Sequence, residues 1–169
     1  MKKLLFASLI LVLLLAVSCS TTKATDVEPI VREVKVSDYA SKTYSADEVF
    51  KILEKFAKDY YEGEEIVSDK EAKTVTIEKI EFNSNVGPLA QDGYIVADII
   101  LTAQEDKAII CIQFVDAYTE VYLGPIAKKV SQGITEFGLK TLDYQANYVA
   151  DSFSGAIGQY VYVVDNGHL

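Results

Sequence analysis

Between residues 45 and 61 the apolar positions recur at helical spacing. Val49, Leu53, Phe56 and Tyr60 share a stripe with Phe50 and Ala57 beside them, and Lys51, Glu54, Lys55, Lys58 and Asp59 populate the other side. One apolar and one charged face is what a helix lying on a sheet requires, so the stripe is read as core rather than as a ligand box. Ser45 with Glu48 three places on has the spacing of a capping box, in which each side chain satisfies an orphan backbone donor, and Gly63 marks the stop.

Alternation replaces that spacing further along. Ile66-Val67 leads through the charged turn Asp69-Lys70-Glu71 to a strand Lys73-Thr74-Val75-Thr76-Ile77. Val75 and Ile77 share a face, Ile80 and Phe82 share one in the opposite phase, and a bulge near Glu78-Lys79 reconciles the two. Residues 83 to 93 read as a loop, with Asn83, Asn85, Gly87, Pro88, Asp92 and Gly93. Tyr94 to Ala103 puts Ile95, Ala97, Ile99, Leu101 and Ala103 on one face, and Lys107 to Asp116 repeats this with Ala108, Ile110, Ile112 and Phe114. The link Gln104-Glu105-Asp106 makes the pair a hairpin. Asp98 projects opposite the apolar face, toward solvent.

From Ile126 the spacing reads as helical again, with Val130, Ile134 and Phe137 on one stripe and Leu142, Ala146, Val149, Phe153 and Ile157 on another. Gly133 and Gly138 predict a kink or two pieces, and Tyr160 to Val164 an extra edge strand. The fold class is therefore α+β, an antiparallel β-sheet with helices packed on one face.

The amino end follows a different logic. Met1-Lys2-Lys3 is a short positive region, and residues 4 to 17 are apolar except for Ser8, too few for a membrane span of ~20 residues and unflanked by stop-transfer charges. Residues 1 to 18 thus read as an export signal. Ala16-Val17-Ser18-Cys19 resembles the lipobox of bacterial lipoproteins, with Ala16 where leucine is favoured; a plain secretory signal cut elsewhere is the alternative. The lipobox resemblance implies a lipid attachment at Cys19, a palmitate-type anchor holding the chain to the outer side of a membrane in the cell envelope. Residues 19 to 29 are polar and suit a tether, which leaves residues 30 to 169 as a single domain.

Charge narrows the partners. The chain carries −9, and loss of Lys2 and Lys3 with the signal would take it to about −11. With Arg32 as its one arginine and its lysines scattered among 25 acidic residues, it has no basic surface for nucleic acid.

The order of a helix carrying Phe56, the acidic turn Asp69-Lys70-Glu71, the strand Thr74-Val75-Thr76-Ile77, a loop and two strands from Tyr94 and Lys107 resembles a bacterial lipoprotein domain of unknown function with a TATA-binding-protein-like (TBP-like) fold. The likeness spans roughly residues 30 to 120. Ala72 and Lys73 stand where a turn glycine is expected, and there is no tryptophan. It implies a fold and an envelope location; it brings no activity, and the fold implies no DNA binding.

No catalytic constellation stands out. The single histidine, His168, is beside the C-terminus. With Cys19 lipidated, Cys111 has no partner, and Ile109-Ile110-Cys111-Ile112 reads as a buried hydrophobe without a cation to activate a thiolate. Glu62, Glu64 and Glu65 read as a charged turn rather than a calcium loop, and Gly124-Pro125 and Gly155 form no phosphate loop. The expectation is no cofactor, no metal and no enzyme. A binding or scaffolding module with an envelope protein partner ranks first, its eleven tyrosines supplying a surface. A carrier for a small apolar ligand or lipid between sheet and C-terminal helices ranks second.

Overall fold

The computed structural model describes residues 26–39, 42–84, 93–123 and 126–166. In these residues the element order is β1 (Ile30–Lys35), a 3-10 turn (Val36–Asp38), α1 (Ala46–Tyr60), β2 (Ile66–Asp69), β3 (Thr74–Asn83), β4 (Gly93–Gln104), β5 (Lys107–Leu123), β6 (Ile126–Gln132) and α2 (Glu136–Asp165). One antiparallel sheet runs β1-β5-β4-β3-β2. The 17-residue β5 pairs with β1 along its first part and with β6 along its last.

Alternation decides which side of this sheet is covered. Val75, Ile77, Ile95, Ala97, Ile99, Leu101, Ala108, Ile110 and Ile112 all point one way and are buried. Val49, Leu53 and Phe56 of α1 and Leu142, Ala146, Val149, Phe153 and Ile157 of α2 join them in one core. The α+β architecture and the facing of α1 on Ile99, Leu101, Ile110 and Ile112 are as the sequence predicts. The helices meet where the Phe56 and Phe153 rings approach edge to face at 5.2 Å.

Helix α1 starts where its cap requires. Ser45 Oγ accepts from the Glu48 N–H at 3.3 Å, and the Ser45 N–H donates to Glu48 Oε2 at 2.9 Å. Its last turn corrects one expectation: Tyr60 lies on the core stripe but is 51% exposed, its ring against Phe56 and its outer side in water.

The bulge falls where the phase change puts it. Ile77 pairs with Ile99 and Ile80 with Ala97, so β3 spends one more residue than β4, and Lys79 takes the left-handed φ of +54°. The Asp98 carboxylate accepts the displaced Lys79 N–H at 2.8 Å, so Asp98 holds the bulge rather than simply facing solvent. Lys73, where the resemblance places a glycine, also adopts a left-handed φ, +57°. Asp106 turns the β4–β5 hairpin at φ +57°; its side chain accepts from Ser37 Oγ at 2.5 Å and its N–H donates to the Tyr44 carbonyl at 2.7 Å, clamping the tip to the chain entering α1.

The segment from Ile126 is the main correction. It is strand β6, paired from Ala117↔Gln132 to Leu123↔Ile126, not helix. Val130 is 45% exposed and Phe137 55%, so of the stripe Val130, Ile134 and Phe137 only Ile134 is core. The helix begins only after Thr135, whose Oγ1 accepts from the Gly138 N–H at 3.1 Å as an N-cap does. It then continues without a break to Asp165. Gly138 serves close approach instead of a kink: a Cβ there would meet Ile134 Cγ1 at 2.8 Å. Tyr160 to Val164 are helical, not an edge strand. Tyr160 extends the Phe153–Ile157 stripe into the core, and this packing outweighs the strand preference of the valine-rich end.

Candidate binding surface

The side of the sheet away from the helices carries its own pattern. Val67, Thr76, Ile100, Cys111 and Val31 are successive register partners across all five main strands, and paired residues project to the same side. Beside this row runs a second, Asp69, Thr74, Thr102, Ile109 and Glu33. The centre is thus apolar or threonine. Val31 is 52% exposed and Val67 46%, while Ile100, Ile109 and Cys111 are half-buried. No helix of the described residues packs here, since both use the opposite side.

Acidic groups surround that centre: Glu33, Asp69, Glu78, Glu81, Asp98 and Asp116 on the same face or its bulges, against Lys35, Lys107 and Lys129. All three cations are paired, Lys107 with Glu33 at 2.7 Å, Lys129 with Glu81 at 3.0 Å and Lys35 more loosely with Asp38 at 3.9 Å. Where β6 joins, Tyr94 and Tyr118 stack with centroids 5.0 Å apart, and Lys129 Nζ lies 4.1 Å from the Tyr118 ring centre. Tyr118 first, then Glu81, hold the Lys129 ammonium above its ordinary pKa, and Lys129 in turn holds the Glu81 carboxyl below the usual range.

The residues singled out from the sequence fare unevenly. Cys19 and His168 lie outside the described residues. Cys111 is not core: its neighbours Ile110 and Ile112 are, and alternation places the thiol in the open-face row, where partial burial pushes its pKa up and disfavours the thiolate. Glu62, Glu64 and Glu65 are exposed in the turn after α1. Glu48, Glu81 and Asp165 are displaced downward, by the Ser45 backbone N–H, by Lys129 and by Lys42 respectively, the direction that keeps a carboxyl ionised at neutral pH with no proton to give. Among the described residues no three His, Cys, Asp or Glu side chains converge as metal ligands.

Sequence reading missed the open-face row, although its signal was present. Tyr94, Val96 and Ile100, like Ile109 and Cys111, are apolar in the phase that a one-sided strand fills with polar residues, which is the mark of a strand with two faces to cover. Elsewhere, the groove of about 300 Å³ between β1 and α2 is lined by Arg32, Tyr39 and Asp151. Its arginine is engaged by Asp143 and Asn147, both at 2.6 Å. Between sheet and α2, the recess beside Gly138 and Ile95 measures about 10 Å³. Among the described residues no helix is long and apolar enough to cross a membrane.

No family model and no curated protein matches the chain. Among solved structures, a TBP-like protein from Parabacteroides distasonis is similar, with a TM-score of 0.54 and 16% identity over 81% of this chain and 98% of that one. A DUF4468 family protein from Bacteroides ovatus aligns at a TM-score of 0.46 and 11% identity over 77% and 84% of the two chains. At such identities the first likeness speaks to the fold alone: the chain is an α+β domain with a TBP-like fold.

Proposed function

We propose that this chain is a non-catalytic binding module of the bacterial cell envelope, tethered by lipid at Cys19, and that the open face of its sheet is the recognition surface. The observation that carries the reading is the row Val31, Cys111, Ile100, Thr76 and Val67, which gives an exposed face an apolar centre within an acidic surround. Isolated surface apolar residues need no explanation, but a contiguous row rimmed by charge marks an interaction site. The chemistry it fits is an envelope protein segment with apolar side chains flanked by lysine or arginine; phosphate backbones are repelled by the same carboxylates. In sequence only ten residues, 20 to 29, separate Cys19 from β1, the strand that carries Val31 and Glu33 of this face. The recess described between sheet and α2 measures about 10 Å³, less than a small ligand occupies.

Two measurements test this. Cys19→Ala should abolish labelling by a fatty-acid analogue and release the chain from membranes; labelling that persists removes the tether. A photoreactive residue at position 100 should give one discrete adduct with an envelope protein in intact cells, whereas the same residue at Lys51, on the charged face of α1, should not. Equal patterns from both positions would sink the open-face assignment.

A further inference from the structure

The outward side of α2 is not what a surface helix normally shows. Its inner stripe, Leu142, Ala146, Val149, Phe153, Ile157 and Tyr160, is buried. Diametrically opposite, Phe137, Thr141, Tyr144, Tyr148, Asp151, Gly155, Gly158 and Tyr162 follow one another at alternating spacings of four and three, the rhythm of a helix-helix seam. The four aromatics stand 55 to 66% exposed. The helix is therefore apolar on two opposite sides, and the described residues use only one.

The two glycines supply a separate clue. A glycine inside a helix costs about 0.5–1 kcal/mol relative to alanine. At Gly138 the close approach of Ile134 explains the choice, but a Cβ at Gly155 or Gly158 would meet nothing within 4 Å. Nothing among the described residues needs them to be small.

We infer that this stripe is the interface of a homodimer, with α2 packed antiparallel on α2 of a second copy about a two-fold axis near Asp151. That axis sets Tyr148 over Gly155 and Tyr144 over Gly158 of the partner, and Tyr162 over Thr141, so that large residues meet small ones on both sides at once. A two-fold contact demands such self-complementarity, and this stripe has it on both sides of the axis, while at the axis the two exposed Asp151 carboxylates meet and oppose the pairing at neutral pH. The area suffices. A 30-residue helix is ~45 Å long. Four aromatics exposed by about six-tenths, at ~200 Å² each, contribute ~950 Å² over two copies before the glycine backbone and flanking side chains are added. Small specific interfaces bury ~1,200 Å². The surface is distinct from the open sheet face, and its fate does not depend on that reading.

The test is the mass of the full chain in mild detergent by light scattering, with a Gly155→Leu variant beside it. Two chains per particle are expected for the wild type. Gly155→Leu should weaken the pairing at least ~10-fold while its melting temperature under dissociating dilution holds or rises, because the added side chain has open space in the monomer. In a Cys111→Ser background, Asp151→Cys should join two copies through a short bis-maleimide and Lys58→Cys on α1 should not. A one-chain mass up to the highest soluble concentration overturns the inference. So does a two-chain mass that Gly155→Leu leaves unchanged, or an unrelated helical partner held on this stripe with no self-association.

Discussion

The two helices lie on the same side of one sheet and meet at Phe56 and Phe153, yet they treat solvent differently. The outward face of α1 is Lys51, Glu54, Lys55, Lys58 and Asp59, with Lys55 and Asp59 paired at 3.0 Å one turn apart. The outward face of α2 is Phe137, Tyr144, Tyr148, Gly155 and Tyr162. A helix that presents charge to water has finished its packing, whereas one that presents aromatics and glycine has a side that no described residue covers. The same division runs through the sheet: the Ile99, Ile110 and Ile112 side is closed, and the Ile100, Cys111 and Val31 side is not.

The sharpest way to break the comparison is at the core the helices share. Phe56→Ala or Phe153→Ala should each cost about 3–5 kcal/mol, read as a large fall in melting temperature. The rings touch, so the double variant should cost less than the sum by about 0.5–1.5 kcal/mol. Simple additivity would mean that the helices do not meet through these rings.

Within α2 the glycines separate the used side from the unused one. Gly138→Ala drives a methyl into Ile134 Cγ1 at 2.8 Å and Ile95 Cδ1 at 3.2 Å, and should destabilise by about 1–3 kcal/mol. Gly155→Ala meets nothing and should stabilise the isolated fold by about 0.5–1 kcal/mol. Equal signs in chemical denaturation would show that the two glycines do not face opposite environments.

These same residues explain what was legible in the sequence. Helix α1 was read almost to the residue because its pattern is strictly two-sided and its cap, Ser45 with Glu48, announces itself. The hairpin of β4 and β5 and the bulge at Lys79 were legible for the same reason, since period-two alternation changes phase at one place. Helix α2 is blurred in the sequence because both of its faces are apolar: Phe137 falls on a stripe with Val130 and Ile134, and β6 merges with the helix because Ile126, Val130 and Ile134 recur every fourth residue. Thr135 as a cap was the missed boundary signal. The open-face row was unread because register, which sets Val67 beside Thr76 beside Ile100, is not written in any one strand.

A smaller effect comes from the tie between the helices' far ends. Lys42 Nζ lies 2.8 Å from Asp165 and 3.2 Å from Glu48, and Tyr44 donates to Asp165 at 3.0 Å, joining the end of α2 to the cap of α1. Lys42 is the first cause holding the Asp165 carboxyl below its ordinary pKa, and the Ser45 backbone the first cause for Glu48. Depressed carboxyls contribute stability that is present above the unfolded values, roughly pH 4, and lost as pH falls through the folded ones. Lys42 is itself raised, so its share is present below its unfolded value near pH 10 and is lost as pH rises through the folded one. Lys42→Met should therefore lower the melting temperature at pH 7, and the difference should shrink in acid below about pH 4. A difference that persists at pH 2 would assign the effect to the lost cation–π contact of Lys42 Nζ with the Tyr44 ring, 4.7 Å from its centre, which acid leaves intact.

The smallest effect expected is at the start of α2, where Glu136 and Lys140 pair at 3.0 Å across one turn with side chains 84% and 73% exposed. Glutamate on the amino-terminal side of lysine suits the helix dipole, and such exposed pairs stabilise by about 0.3–0.5 kcal/mol at low salt. Lys140→Ala should thus shift chemical denaturation by no more than this, and the shift should vanish at about 1 M salt, where the screening length is ~3 Å. A larger and salt-resistant loss would mean that the aliphatic stem of Lys140, beside Phe137 and Tyr144 on the outward side, is covering apolar surface. Charge on α2 would then be packing rather than solvation, and the contrast with the charged face of α1 would sharpen instead of fading.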